Sequence, residues 1–151
     1  MLWLALGLLL AGLVGVAVYK TWPVLFPEVV AVAALNPNCD LRAGACRGVL
    51  PSGGMVDFSI EPDTIPVLKT LRLTVGVEGL EVQAVDVDFA GTDMNMGYNR
   101  VALQPDASGL WLGQGMLPVC VRDVMGWEAT VLLRTADGLM AAPFRFVTHR
   151  N

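Results

Sequence analysis

Histidine occurs once in the 151-residue chain, as His149, and cysteine three times. A lone histidine beside the C-terminal tail offers no imidazole–carboxylate arrangement for general-base catalysis. Cationic residues are also sparse, with 10 Lys and Arg against 14 Asp and Glu, for a formal net charge of -4. The cations are scattered and form no basic patch, so nucleic acid is not an expected partner. No glycine-rich phosphate loop, nucleophile elbow or zinc-finger spacing is present. His149 reads as a solvated residue of a plain tail, with metal ligation the lesser alternative. These absences leave a chain that is not expected to be an enzyme.

Long apolar sequence is concentrated at the start. The run from Leu2 to Tyr19 carries no charge and, as a helix, measures roughly 27 Å, close to the hydrocarbon thickness of a bilayer. Tyr19, Lys20 and Trp22 follow directly and resemble an interfacial anchor. The competing reading is a cleaved signal peptide, but Ala31-Val32-Ala33 lies too far beyond the apolar run to serve as its cleavage site. Residues 1–22 are therefore expected to form a transmembrane anchor held against membrane lipid. The stretch 23–54 is expected to be a linker. Within it, Pro23 to Leu35 is apolar but too short to span, and fits a surface-lying segment, a first strand or a contact with a membrane partner.

Cys39 and Cys46 bracket a short polar loop, CDLRAGAC, which predicts a local disulfide. Their spacing is not the Cys-x-x-Cys of redox catalysts. A persistent disulfide implies an oxidising compartment, which places residues 55–151 outside the cytoplasm. Roughly 115 residues outside the apolar N-terminus are enough for one core. They alternate with period two at Met55–Ile60, Leu71–Val77 and Val82–Phe89, with shorter runs at Val101–Leu103 and Leu110–Leu112. Trp127–Arg134 and Met140–Val147 flank Asp137-Gly138 as a hairpin. The expected fold is all-β: an Ig-like antiparallel β-sandwich of about seven strands behind a single N-terminal transmembrane helix. Asp86 and Asp88 alternate with Val85, Val87 and Phe89 and form a solvated strand face.

The unusual stretch is GTDMNMGYNR, Gly91 to Arg100, where Met94 and Met96 stand in a polar turn. An apolar side chain gains little in such a turn unless something covers it. Either the thioethers cap a core or meet a partner, or they bind a soft metal. In extended chain, residues at i and i+2 point the same way, so both sulfurs can converge on one ion. Thioethers suit Cu(I) and do not hold magnesium or calcium. A third ligand is needed, and GMLPVCVRDVMGW, Gly115 to Trp127, offers Met116, Cys120 and Met125. The methionines there read individually as core residues. Cys120, left odd by the Cys39–Cys46 pair, fits burial, a soft metal or an intermolecular disulfide. Arg100 is expected to bridge to Asp93 across the turn.

A strand ending near Phe89, then Asp93-Met94-Asn95-Met96-Gly97, then Gly109-Leu110-Trp111, then Gly126-Trp127 opening a strand resembles the FixH-like and YtkA-like domains. The resemblance runs from about Thr70 to Phe146. It implies a small extracytoplasmic sandwich on one membrane span. It further implies assembly of a haem-copper (cytochrome) oxidase or copper delivery to it, with Met94 and Met96 as ligands. The expected location is the bacterial inner membrane, single-pass, with the C-terminal domain in the periplasm and an integral membrane respiratory complex as partner. The alternatives are a metal-free accessory subunit of such a complex and a solute- or protein-binding sandwich.

Overall fold

The computed structural model describes residues 2–25, 28–119 and 122–149; for several residues of the N-terminal helix it describes the backbone alone. That helix, α1, runs Leu2–Leu25. Ten strands follow: β1 (Val29–Val32), β2 (Cys46–Val49), β3 (Met55–Glu61), β4 (Leu71–Glu78), β5 (Ala84–Gly91), β6 (Arg100–Ala102), β7 (Gln104–Pro105), β8 (Trp111–Gly115), β9 (Val124–Thr135) and β10 (Gly138–His149). They form two five-stranded sheets, ordered β1-β10-β9-β5-β6 and β2-β3-β4-β8-β7.

Alternation builds the sandwich. Val85, Val87 and Phe89 of β5 and Trp127, Ala129, Val131 and Leu133 of β9 are buried. So are Val56, Phe58 and Ile60 of β3 and Leu71, Leu73 and Val75 of β4, and all belong to one core. Phe58 meets Phe144 at 5.4 Å between ring centroids, and Phe89 meets Phe146 edge-on at 6.4 Å. Trp127 is fully buried, and its indole N–H donates to Thr148 Oγ1 at 2.9 Å. That bond satisfies a donor that would otherwise be stranded in the core. Asp86 and Asp88 stand on the outer face of β5, half-buried.

The sheets are antiparallel with one exception. β1 runs parallel to β10, pairing Val29 with Leu139 and Val32 with Ala141. A parallel neighbour needs a long crossover, and here nearly the whole domain intervenes between the two strands. The strand count exceeds the expected seven because the stretch 23–54, read as linker, supplies β1 and β2 and a third short strand, β7, edges the second sheet. Cys39 and Cys46 are disulfide-bonded with Cα atoms 5.6 Å apart, which ties the entry loop to β2. Gly48 of β2 lies against the Phe144 ring, where an added Cβ would come within 3.4 Å. A small residue there lets β2 close over the first sheet.

Outside the core, Arg47 donates to both carboxylate oxygens of Asp57, Nε at 2.7 Å and Nη2 at 2.5 Å. These bonds hold the Asp57 carboxyl below its ordinary pKa of 3.8, against a smaller opposing effect of burial. The Asp106 carboxylate accepts from the Ser108 hydroxyl and from the Ser108 and Leu110 amides, and it too is held below its usual range, first by the Ser108 hydroxyl.

Among the described residues, no side chain of α1 joins the core. Trp3, Leu9, Leu10, Leu13, Val14, Val16 and Tyr19 are all exposed. Among the described residues, no helix is long and apolar enough to cross a membrane. The α1 backbone is nonetheless helical throughout the apolar run. Its continuation enters the first sheet at Val29, opposite Leu139 and beside the β9–β10 turn. This is the near end of the sheet. The outer face there carries a small apolar cluster of Leu132, Leu139 and Ala141, and the edge residues Val30 and Val32 are exposed.

A candidate methionine site at the far end

The connection from β5 to β6, residues 92–99, lies at the opposite end of the first sheet from α1. The register fixes this: Ala84 of β5 pairs with Arg134 near the β9–β10 turn, and Gly91 pairs with Trp127. Eight residues of β5 separate the two ends by about 25 Å.

The turn is held by short-range hydrogen bonds. The Thr92 amide donates to the Gly126 carbonyl at 3.0 Å, and the Phe89 amide to the Asn99 carbonyl at 2.8 Å. Asn95 Oδ1 accepts from the Gly97 amide at 2.8 Å, the usual use of an Asn side chain to close a turn on itself. Gly97 has a φ of 80°, which glycine adopts without the Cβ clash of other residues. Asn99 Nδ2 donates to the Met116 carbonyl at 2.9 Å, linking this turn to the segment after β8.

Met94 and Met96 are half-buried and pack against the core. Both line a shallow depression with Ala90, Gly91, Thr92, Asn95 and Gly97. Its floor is Gly91. A Cβ built there would stand 2.5 Å from Met125 Cε, 2.5 Å from the Met94 carbonyl oxygen and 3.1 Å from Met96 Cγ. The two methionine side chains thus reach over one α-carbon from different elements. Met125 is the second residue of β9 and is only 2% exposed, a core residue as its surroundings suggest. Met116 is exposed and sits on the adjoining segment. His149 ends β10 opposite Val124 and is exposed. Cys120 lies outside the described residues.

Arg100 does not bridge to Asp93. It pairs with Asp88 at 3.5 Å, because β6 sets Arg100 directly opposite Asp88 in the ladder, and its guanidinium lies 5.4 Å from the Tyr98 ring centre. Asp93 pairs instead with Arg122 at 3.7 Å. Among the described residues, no group of three or more His, Cys, Asp or Glu side chains gathers into a metal site. The atoms that meet at Gly91 are side-chain carbons of Met125 and Met96 and the Met94 carbonyl oxygen; a thioether sulfur as ligand suits a soft monovalent ion such as Cu(I) and not a hard divalent one. Sequence reasoning placed Met94 and Met96 in one turn and offered Met125, with Met116 and Cys120, as a candidate third ligand while reading it individually as a core residue; the structure sets its methyl against Gly91. That contact depends on the β5–β9 register, whose only sequence trace is the position of Met125 two residues before Trp127.

The fold and site define a two-sheet β-sandwich with a methionine-lined turn at the end remote from an apolar helix. No family model matches the chain, and no curated protein or solved structure matches it.

Proposed function

We propose that the chain is a membrane-anchored accessory protein that carries Cu(I) at its far-end methionine turn and supplies it during assembly of a haem-copper oxidase. The observation that carries this reading is the meeting of methionine side chains from two elements over the bare α-carbon of Gly91, beside an open depression. Met94 and Met96 would hold the ion as neutral ligands, so no proton is released on binding and affinity stays flat across the pH range of an extracytoplasmic compartment. The half-burial of both residues excludes part of the solvent shell while the depression leaves one side open for a receiving partner.

Placement outside the cytoplasm rests on the Cys39–Cys46 disulfide, since such bonds persist in oxidising compartments. Anchoring rests on the uncharged apolar run from Leu2 to Tyr19, which is apolar on every face of the helix. The finer assignments belong to the same proposal: a bacterial inner membrane with the sandwich in the periplasm, an Ig-like strand arrangement, and kinship with the FixH-like and YtkA-like domains.

The test is anaerobic Cu(I) competition against a chelator, using the full chain in detergent micelles. The native chain is expected to bind one ion. The combined Met94→Leu and Met96→Leu variant is expected to lose that binding while keeping its fold. Equal binding by both proteins would end the proposal.

A second reading, a metal-free structural subunit of a membrane complex, is favoured by a separate observation. Leu68, Tyr98, Met116, Val119 and Val124 are exposed large apolar residues on the segments that close the same end. Tyr98 is 82% exposed. Flexible thioethers and aromatic rings suit a contact surface. On this reading the native chain shows no Cu(I) binding and instead copurifies with its complex.

A further inference from the structure

We infer that the Met96 thioether is an oxidation site that acts as a latch: its conversion to the sulfoxide by a peroxide releases the far-end turn from the core. The inference stands apart from the Cu(I) reading and needs no bound ion. Met96 is half-buried and packs against the core, yet it also lines the open depression at the turn. Its Cγ lies 3.1 Å from the ideal Gly91 Cβ, in the space where a side chain would otherwise stand. The sulfur is bonded to that carbon and so lies beside the same spot. Gly91 is the last residue of β5, so Met96 folds the turn back onto the strand end from which it departs.

The compartment that preserves the Cys39–Cys46 bond is oxidising, and a thioether needs no deprotonation to react. The sulfur lone pair attacks one oxygen of hydrogen peroxide, and the O–O bond breaks as the S–O bond forms. The departing hydroxide takes the proton from the transferred oxygen and leaves as water, so the sulfur is oxidised and the peroxide reduced. The product is a polar group where an apolar one was packed. The other atoms gathered at Gly91 are the Met125 methyl and the Met94 carbonyl oxygen, and neither donates a hydrogen bond to a sulfoxide oxygen. A sulfoxide at Met96 therefore gains by turning out to water, and the packing that held the turn over Gly91 is lost. The other methionines bracket this site. Met116 is 47% exposed and stands outside the core, so its oxidation disturbs no packing there. Met125 and Met140 are 2% and 5% exposed and are shielded from oxidant.

The experiment treats the metal-free full chain in detergent micelles with hydrogen peroxide. Peptide mass spectrometry reads which methionines gain oxygen, and NMR of methyl-labelled methionine reads the buried Met125 methyl. Met96 and Met116 are expected to oxidise while Met125 and Met140 do not, and the Met125 signal is expected to shift in step with Met96. Met96→Leu, a volume-conserving change tolerated by cores, is expected to keep the native Met125 signal and to abolish its response to peroxide. Met116→Leu is expected to leave the response intact. Met96→Gln, which puts a polar group of similar length at the same place, is expected to displace the Met125 signal with no peroxide added. Oxidation of Met96 no faster than that of Met125 or Met140 overturns the inference. So does oxidation of Met96 with the Met125 signal unmoved, a peroxide response that survives in Met96→Leu, or a native Met125 signal in Met96→Gln.

Discussion

Thr148→Val should destabilise the native chain and should do the opposite in a Trp127→Phe background. Thr148 is buried, and its hydroxyl is the acceptor for the buried Trp127 indole N–H at 2.9 Å. Valine keeps the shape of threonine but replaces the hydroxyl with a methyl. Leaving the indole N–H unpaired costs about 1–3 kcal/mol, and the added buried methyl returns about 0.8 kcal/mol. The expected net loss is therefore about 1 kcal/mol, with the unsatisfied donor winning. Trp127→Phe has no N–H to strand, so there the same exchange leaves only the methyl term and is neutral or stabilising. The measurement is denaturant unfolding of the four proteins in a mild detergent, read by the near-ultraviolet circular dichroism of the buried indole or, in the Phe background, by far-ultraviolet signal. An equal cost for Thr148→Val in both backgrounds would refute the reasoning, because the loss would then come from packing and not from the hydrogen bond.

Other expectations follow from the same geometry. Gly91→Ala should disturb the methionine turn, since its Cβ meets the Met94 carbonyl, which is backbone and cannot swing aside; we expect a loss of about 1–3 kcal/mol in denaturant unfolding and weakened Cu(I) binding, and an unchanged stability would contradict the close approach. Reduction of the Cys39–Cys46 bond, which closes a loop with a sequence separation of 7, should lower stability by about 2–3 kcal/mol on chain-entropy grounds; an unfolding midpoint unchanged by reductant would contradict this. Asp57→Asn should cost under about 1 kcal/mol at neutral pH, because the Arg47 pair is partly solvent-screened. The Asp57 carboxyl is held below its ordinary value, so its contribution is fully present above pH 3.8 and is lost as the pH falls through the lowered value. The native and variant stabilities should therefore converge in acid, and a gap that persists there would assign the effect to something other than charge.

The long strands were legible because each shows its inner and outer faces in turn. Val85, Val87 and Phe89 against Asp86 and Asp88 could hardly be read otherwise, and Asp137-Gly138 marked the hairpin between β9 and β10. β1 stood as only one of three readings of Pro23 to Leu35, because Val29–Val32 continues an apolar stretch begun in α1 and its partner β10 lies more than a hundred residues further along the chain. β2, Cys-Arg-Gly-Val, turns Cys46 and Gly48 inward, and small inward residues leave little periodic signal. The Arg100 partner was misplaced for a related reason. Proximity in sequence suggested Asp93, but ladder register, set by the length of the intervening turn, delivered Asp88. The methionine pair itself stood out as apolar residues in a polar turn. Met125 was one of three candidates beside them, and only the β5–β9 pairing sets it against Gly91.

The parallel seating of β1 beside β10 has a mechanical consequence. The chain leaves α1 and enters the first sheet at Val29, and β1 then runs toward the far end in the same direction as β10. A load applied between α1 and the far-end turn pulls along the strand axis, so the pairings at Val29, Ala31 and Val32 and the bond from the Ala33 amide to the Ala141 carbonyl are sheared together instead of being opened one after another. Loaded along that direction, the β1–β10 pairing acts as a clamp rather than a zipper.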